Sequence, residues 1–343
     1  MDLSYAQHLE DFHLAQVFAD QREGFYIDVG AGHPVADNVS CWFYQRGWRG
    51  IVVEPQPGLA ELYGFIRPRD IAECCVLGAE VGEVDFHDVE RLHGFSTIVP
   101  QFAESATGFG ARYHTRKVPM KTLAGICKAH GVPRIDFLKV DVEGAEAAVL
   151  AGGDWTHHRP RVVVCEALAP GSMAENWLDW EPFLLERDYE FVLFDGLNRF
   201  YVDRAERELL ARFPREKAEW LVVPHLGHTN RAPFRDDHPD HAFAQELTGA
   251  FLALLPRLDR EQLLALALHG EPGDLDAPLT AGDKARVLAR LFPGEKFPEE
   301  SEGARSVDAP TLRAYYRALI DSDAFRILTG RLSMSYDGGQ ILD

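Results

Sequence analysis

Three short parts of the chain combine residue types that can bind a cofactor and move a proton. They are the glycine-containing loop 28–34 (DVGAGHP), the charged run 139–146 (KVDVEGAE) and Glu166, which follows the run 161–165 (RVVVC). Each lies at or just after a short apolar run of the kind that forms a buried strand. If these runs are parallel strands of one sheet, their carboxyl ends meet at one edge, where ligands bind in open α/β sheets.

The loop 28–34 indicates a site for a nucleotide-like ligand. Gly30, Ala31 and Gly32 let the backbone approach a ligand closely. Glu54 ends the second strand, 22 residues after Gly32, where a carboxylate accepts hydrogen bonds from ribose hydroxyls. Asp28, at the end of the first strand, suits a cationic ligand better than an anionic one. A tight turn without a ligand is the simpler alternative.

The same loop departs from the pattern that binds a dinucleotide. Val35 stands where that pattern has a third small residue, and Pro34 removes a backbone donor that a pyrophosphate would use. S-adenosylmethionine contains an adenosine without a phosphate, and its sulfonium is cationic. The loop therefore favours S-adenosylmethionine over NAD, and an NAD-dependent oxidoreductase is kept as an alternative.

The charged run 139–146 is costly to bury unless its charges pair or serve a site, because it holds Lys139, Asp141, Glu143 and Glu146 within eight residues. Acidic residues at the start of a helix would explain Glu143 and Glu146 through the helix dipole. Asp141 and Lys139 are explained less well in that way, since they lie in or at the end of an apolar strand.

Methyl transfer to a hydroxyl requires that the hydroxyl lose its proton, and a positioned base accelerates such a step by roughly 10²- to 10⁴-fold. Asp141 and Glu166 are predicted to lie near each other, as the base or as ligands of a hard cation such as Mg²⁺. Lys139 and Glu143 complete the set of candidate catalytic residues. The rival bases are His33, His93 and His114.

Several segments, in order and with ordinary spacing over about residues 24–203, resemble the FkbM-type family of S-adenosylmethionine-dependent methyltransferases. They are FYIDVGAGHPVADNVS, GWRGIVVEP, FSTI, IDFLKVDVEGAEAAVLAG, VVVCEA and FVLFDGLNRFYV. The resemblance implies a Rossmann-like class I methyltransferase fold and methylation of hydroxyl oxygens of sugars, polyketides and related metabolites.

The resemblance also implies roles for individual residues. Asp28, Gly30 and Gly32 would line the cofactor, Glu54 would hold its ribose, and Asp141 and Glu143 would lie at the active edge. Ser96 and Thr97 match a short hydroxyl motif that contacts cofactor or acceptor. The GAGHP form, with Asp37 and Ser40 downstream, resembles members associated with bacterial surface glycans, and the closing segment SDAFRILTGRLSMSYDGG resembles tails of glycan-assembly enzymes.

The elements that must position these residues alternate along the chain. Apolar runs predict core strands at 25–29, 51–54, 71–77, 135–140, 161–165 and 190–194, with helices at about 36–46, 57–66, 121–130, 144–151 and 174–187. Extra strands are predicted at 84–89 and 116–120, and an antiparallel strand at 198–202 after the Asp195-Gly196 turn. This order predicts an α/β fold with a doubly wound, mostly parallel seven-stranded sheet.

The sequence pattern changes after about residue 225, which predicts separate regions of the chain. Residues 1–225 are predicted to form the methyltransferase domain, 226–242 a proline-rich linker and 243–343 an α-helical C-terminal region. The four histidines between 225 and 241 match no metal-ligand spacing. The C-terminal helices are expected to bind a second copy or a glycan-assembly partner, or to cover the active site.

Charge and cysteine content exclude some classes of function. The 343 residues carry 35 basic and 54 acidic side chains, a formal net charge of −19, which disfavours nucleic-acid binding. No apolar stretch is long enough to span a membrane, and the N-terminus lacks the pattern of a secretory signal. Five cysteines without metal or disulfide spacing favour free thiols in the cytoplasm.

The sequence thus predicts a cytoplasmic O-methyltransferase that uses S-adenosylmethionine and acts on a sugar hydroxyl, in a nucleotide sugar or within a glycan. Methylation of a polyketide or other secondary metabolite is the second enzymatic hypothesis. A non-catalytic module that binds the cofactor and assembles with partners is the third.

Overall fold

The computed structural model describes residues 3–90, 93–108, 110–169 and 172–226, together with Asp236, His241, Ala242 and Ile327. The predicted helices of 243–343 and most of the predicted linker 226–242 lie outside these residues, so both stay predictions. Within the described part, no helix is long and apolar enough to cross a membrane.

The strands of the described part are, in chain order, β1 (Phe25–Val29), β2 (Arg49–Val53), β3 (Ile71–Glu73), β4 (Val76–Leu77), β5 (Gly82–Val89), β6 (Tyr113–Lys121), β7 (Phe137–Val140), β8 (Val162–Glu166), β9 (Tyr189–Phe194) and β10 (Asn198–Asp203). The α-helices are α1 (Glu10–Val17), α2 (Cys41–Tyr44), α3 (Pro57–Ile66), α4 (Pro100–Thr107), α5 (Leu123–Ala129), α6 (Glu146–Ala151), α7 (Glu181–Leu185) and α8 (Arg207–Arg212). Short 3₁₀ helices cover His93–Phe95, Trp177–Asp179 and Trp220–Val222.

Seven strands form one mostly parallel sheet, as the sequence predicts, and their order is β3-β2-β1-β7-β8-β10-β9. The strand β10 runs antiparallel to both of its neighbours, β8 and β9. The central strands β1, β7 and β8 are buried along almost their whole length, since helices cover both faces of a doubly wound sheet. The mixed α/β architecture with a seven-stranded sheet is confirmed.

Alternation along β1 divides its side chains between two apolar layers. Ile27 and Val29 pack on one face of the sheet, and Tyr26 packs on the other. Asp28 therefore shares the face of Tyr26. The carboxyl ends of β1, β2, β7 and β8 lie along one edge of the sheet, so residues that follow these strands come together there.

The run 71–77, predicted as one strand, is two strands in two sheets. Its first part, β3, extends the large sheet beside β2, and its second part, β4, joins β5 and β6 in a three-stranded sheet. The break at Cys74 and Cys75 redirects the chain, so the small sheet is joined directly to the large one. The helix predicted at 174–187 is also shorter, a 3₁₀ turn and α7, with Pro182 in the first turn of α7.

A wholly buried arginine fastens the loop after β1 to the end of α3. Arg67 forms an ion pair with Asp70, with 2.6 Å between Nη2 and Oδ2, and neither side chain is exposed. Its guanidinium also donates to the hydroxyls of Tyr26 and Ser40 at 3.0 and 2.8 Å, and to the carbonyl oxygen of Pro34 at 3.0 Å. Five donors in a rigid fork make this arrangement specific to arginine.

Replacing Asp70 by alanine leaves the Arg67 guanidinium buried without its counter-ion. We expect Asp70→Ala to lower the free energy of unfolding by about 3–5 kcal/mol, as loss of one partner of a buried pair does. The control is Asp85→Ala, which breaks the exposed pair with Lys117 and should cost at most about 1 kcal/mol. Urea unfolding followed by tryptophan fluorescence measures both, and equal losses would contradict the structural importance of the buried pair.

Candidate functional site

A cavity of about 230 Å³ opens at the carboxyl edge of the large sheet. Its walls include the loop after β1, the end of β2, the segment 94–98 and the ends of β7 and β8. Most of the predicted site residues line it: Gly30, Ala31, Gly32, Glu54, Ser96, Lys139, Asp141, Glu143 and Glu166. The fold therefore brings together residues that are distant in the sequence; Gly30 and Glu166 are 136 positions apart.

Gly30 is required by the close approach of the first loop to the loop after β7. Its φ of +73° lies in the left-handed region, and a Cβ there would be 1.6 Å from the carbonyl oxygen of Asp141. At Gly32, with φ +58°, an added Cβ would meet no atom within 4 Å. The first glycine thus serves the packing of the two loops, and the second leaves space beside the cavity.

Five backbone donors in and just after the first loop are used within the protein. The N–H groups of Gly30 and Ala31 both donate to the carbonyl oxygen of Val53, at 3.0 and 3.1 Å. That of Gly32 donates to Glu54, and those of Val35 and Ala36 donate to Nδ1 of His33 at 3.2 and 3.0 Å. These five donors are therefore engaged and do not form the anion cradle of a pyrophosphate site.

Glu54 is held by two backbone donors at the wall of the cavity. Its Oε2 accepts from the N–H of Gly32 at 2.9 Å, and its Oε1 accepts from the N–H of Gln56 at 2.8 Å. Burial raises the pKa of Glu54 to about 7, although both hydrogen bonds favour the ionised form. Each oxygen keeps a lone pair that can accept from a ligand hydroxyl.

Lys139 is a buried cation between two aspartates. Its Nζ lies 2.9 Å from Oδ2 of Asp141 and 3.9 Å from Oδ1 of Asp28, and it donates to the carbonyl oxygen of Gly30 at 3.3 Å. Burial alone would lower the pKa of Lys139, but attraction to Asp141 and Asp28 outweighs burial and raises it. The ammonium therefore stays charged and fixes Asp141 at the cavity.

Asp28 lies behind the cavity and is not one of its lining residues. It is wholly buried, and its Oδ2 accepts a hydrogen bond from the Ser40 hydroxyl at 2.6 Å. Its position follows from strand alternation, which turns Asp28 to the face opposite Ile27 and Val29. The structure therefore gives Asp28 a place next to Lys139, and direct contact with a ligand stays a prediction.

Glu143 and Glu166 complete the acidic side of the cavity. Glu143 has a φ of +55°, a conformation that costs free energy for a residue with a side chain, and the Thr97 hydroxyl donates to its carbonyl oxygen at 2.9 Å. The Oε2 atoms of Glu143 and Glu166 are buried without a hydrogen-bond partner in the described part of the chain. Burial, with the nearby carboxylates, raises the pKa of both well above the usual value.

The three candidate histidines differ in their placement. Nδ1 of His33 accepts two backbone hydrogen bonds, so this nitrogen is occupied. His114, on β6, is largely exposed beside Asp88 and does not line the cavity. The side chain of His93 is not among those described. The carboxylates are therefore better placed than His33 or His114 to act as the base.

Residues that the sequence did not single out support the first loop from behind. The side-chain amide of Asn38 donates to the carbonyl oxygen of Ala31 at 2.9 Å, and the Tyr63 hydroxyl donates to the same oxygen at 3.0 Å. Arg67 in turn donates to Oδ1 of Asn38 at 2.7 Å, which fixes the orientation of the amide. No motif marks these residues, because their roles depend on contacts between α3 and a distant loop.

Residues 28–191 match the family model described as the methyltransferase FkbM domain. The matched stretch is 164 of the 343 residues, and it is similar to this family. The match confirms the resemblance drawn from the sequence motifs and includes every predicted site residue, from Asp28 to Glu166. No curated protein matches the chain. The match supports a methyltransferase in general.

The unpartnered carboxyl of Glu166 should lower the stability of the protein at high pH. Because the pKa of Glu166 is raised in the folded protein, its ionisation costs stability as pH rises above the usual value of the unfolded chain. We expect Glu166→Gln to raise Tm by about 2–4 °C at pH 8, which corresponds to about 1 kcal/mol. The gain should vanish near pH 4, where the carboxyl is protonated in both states.

The matched control is Glu83→Gln, at an exposed position of β5, for which Tm should not change at either pH. Scanning calorimetry at the two pH values provides the comparison. A Glu166→Gln protein that is less stable than the wild type at pH 8 would show that the carboxylate is stabilised in place, against the cause given for its raised pKa.

Proposed function

We propose that this protein is an S-adenosylmethionine-dependent O-methyltransferase that acts on a sugar hydroxyl, in a bacterial surface glycan or a nucleotide sugar. The observation that carries the proposal is the set of carboxyl groups that line one cavity. The lining includes Glu54, which two backbone N–H groups hold as a proposed acceptor for a ribose, and also Asp141, Glu143 and Glu166. Glu143 and Glu166 each have one carboxyl oxygen without a hydrogen-bond partner in the described part of the chain.

The lining residues fit S-adenosylmethionine better than NAD. The oxygens of Glu54 can accept hydrogen bonds from a ribose diol, and the acidic residues attract a cationic sulfonium. The five engaged N–H groups in and just after the first loop favour a ligand without phosphate. The five free cysteines agree with a reducing compartment, and the proposal places the protein in the cytoplasm.

When bound, S-adenosylmethionine supplies an electrophilic methyl group on a sulfonium leaving group. The protein must orient the acceptor hydroxyl and remove its proton. Glu166 and Glu143 are the proposed bases, because their raised pKa values make them better proton acceptors than an ordinary carboxylate. Asp141, paired with Lys139, is proposed to orient the cofactor or the acceptor, and Thr97 holds the backbone of Glu143.

A second proposal concerns the same carboxylates. Asp141, Glu143 and Glu166 each offer an oxygen within 4.8 Å of the others, a spacing compatible with a hard cation such as Mg²⁺. The Lys139 ammonium, 2.9 Å from Asp141, competes with such an ion. Proton removal without a metal is therefore the preferred mechanism.

Cofactor binding tests the first part of the proposal. By titration calorimetry we expect micromolar affinity for S-adenosylmethionine and S-adenosylhomocysteine and none for NAD⁺. Glu54→Ala should weaken binding at least about tenfold, because a charge-assisted hydrogen bond is worth about 1.5–3 kcal/mol. The control, Glu61→Ala on the exposed side of α3, should bind as the wild type does. Failure of the wild type to bind would favour the non-catalytic module.

Turnover tests the roles of the acidic residues. We expect Asp141→Asn to keep cofactor affinity within about threefold and to lose at least about 100-fold in kcat, since the Lys139 pair that positions it is lost.

Activity that EDTA does not change would support proton removal by a carboxylate. Loss of activity in EDTA and its recovery with Mg²⁺ would favour the metal proposal, and full activity of Asp141→Asn would remove Asp141 from the mechanism.

A further inference from the structure

We propose that Thr97 is a positioning residue for methyl transfer, which holds the backbone of Glu143 so that the carboxyl of Glu143 stays at the cavity. This inference rests on the proposed function, because it takes Glu143 as one of the two bases. It gives Thr97 a role that differs from the direct contact with cofactor or acceptor that the family resemblance implies.

The backbone at Glu143 needs support from its surroundings. Its φ of +55° lies in the left-handed region, which is unfavourable for a residue with a side chain. The next residue, Gly144, also has a positive φ, of +97°. A conformation of this kind persists only where neighbouring contacts hold it in place.

Glu146 supplies part of that support from within the loop. Its Oε1 accepts hydrogen bonds from the N–H groups of Val142 and Gly144, at 3.2 and 3.0 Å. The Gly144 N–H and the carbonyl oxygen of Glu143 belong to one trans peptide group, so they point in opposite directions. The bond to Glu146 therefore holds one end of this peptide group, and the carbonyl end needs a donor from the other side.

Thr97 is the donor on that other side. Its hydroxyl donates to the carbonyl oxygen of Glu143 at 2.9 Å and accepts from the N–H of Val99 at 2.9 Å. Thr97 is only 1% exposed, and its backbone exchanges two hydrogen bonds with His87 on β5, so the hydroxyl is itself fixed. A hydroxyl has one proton to donate, and Thr97 has none left for a ligand while it holds Glu143.

A second contact from the same part of the chain supports this arrangement. The ring of Phe102, on α4, packs against Gly144 so closely that a Cβ added at Gly144 would overlap the ring. Phe102 and Thr97 thus hold consecutive residues of the loop, one by packing and the other by a hydrogen bond. Because the hydrogen bond is the directional contact of the two, its loss should release the peptide group between Glu143 and Gly144.

The first experiment compares Thr97→Val, which loses the hydroxyl and keeps the shape of the side chain, with Thr97→Ser, which keeps the hydroxyl. Transfer of a labelled methyl group from saturating S-adenosylmethionine is measured with the full-length protein and an extract of source cells that lack the gene. We expect the apparent kcat to fall at least about tenfold in Thr97→Val, since a misplaced base loses part of its roughly 10²- to 10⁴-fold contribution. Thr97→Ser should stay within about threefold of the wild type.

Two controls accompany this comparison. Thr107→Val removes an exposed hydroxyl that also donates to a backbone carbonyl oxygen, that of Glu104, and it should leave the activity unchanged. Calorimetry should give both Thr97 variants the wild-type affinity for S-adenosylhomocysteine. Binding about tenfold weaker in Thr97→Val would indicate direct contact with the cofactor and would overturn the inference, as would equal losses of activity in Thr97→Val and Thr97→Ser.

The double variant of Thr97→Val and Glu143→Gln distinguishes positioning from contact with the acceptor. If Thr97 acts through Glu143, the double variant should be as active as Glu143→Gln alone, because the base that Thr97 positions is already absent. A further loss of about tenfold would overturn the inference. In a crystal structure of Thr97→Val, φ of residue 143 should leave the left-handed region, and a φ that stays near +55° would overturn it too.

Failure of the proposed function gives a different result. Absence of label with the wild type, although S-adenosylhomocysteine binds, would overturn the proposed catalysis and the inference with it. Full activity of Glu143→Gln would overturn the role of Glu143 and this inference, and it would leave methyl transfer by the protein intact.

Discussion

The buried ammonium of Lys139 is the interaction on which the arrangement of the cavity depends. It lies on a central strand, where an unpaired cation would be very costly, and its neighbours Asp28 and Asp141 remove that cost. Asp28 comes from β1 and Asp141 follows β7, so one cation ties the ends of two adjacent strands. Lys139 also donates a hydrogen bond to the carbonyl oxygen of Gly30, which links it to the first loop.

Two residues near Lys139, Glu143 and Glu166, have features that cost the protein stability. Glu143 occupies a left-handed backbone conformation, and both Glu143 and Glu166 bury a carboxyl oxygen without a partner. The rest of the domain compensates through apolar layers on both faces of the sheet and through the arginine that joins α3 to the first loop. Strain and unsatisfied polar atoms at the wall of a cavity are typical of a catalytic site.

Much of this organisation could be predicted from the sequence because local patterns determine it. The strand at 25–29 and the helix at 57–66 have the predicted bounds, since apolar periodicity and Pro57 define them. The division of 71–77 between two sheets could not be predicted, because an apolar run does not show which partner each part will pair with. Strand alternation could have indicated that Asp28 faces away from Ile27 and Val29, whereas nothing local marks Arg67 or Asn38 as supports of the loop.

The internal hydrogen bonds of the first loop have a consequence for the kinetics of ligand capture. Because Val53, Glu54 and His33 accept hydrogen bonds from five N–H groups in and just after the loop, these contacts hold the loop without help from a ligand. A preformed loop loses little conformational entropy on association, so encounter need not wait for an ordering step. Association should then be limited by diffusion and by the attraction of the acidic walls, and therefore should slow as added salt screens those charges.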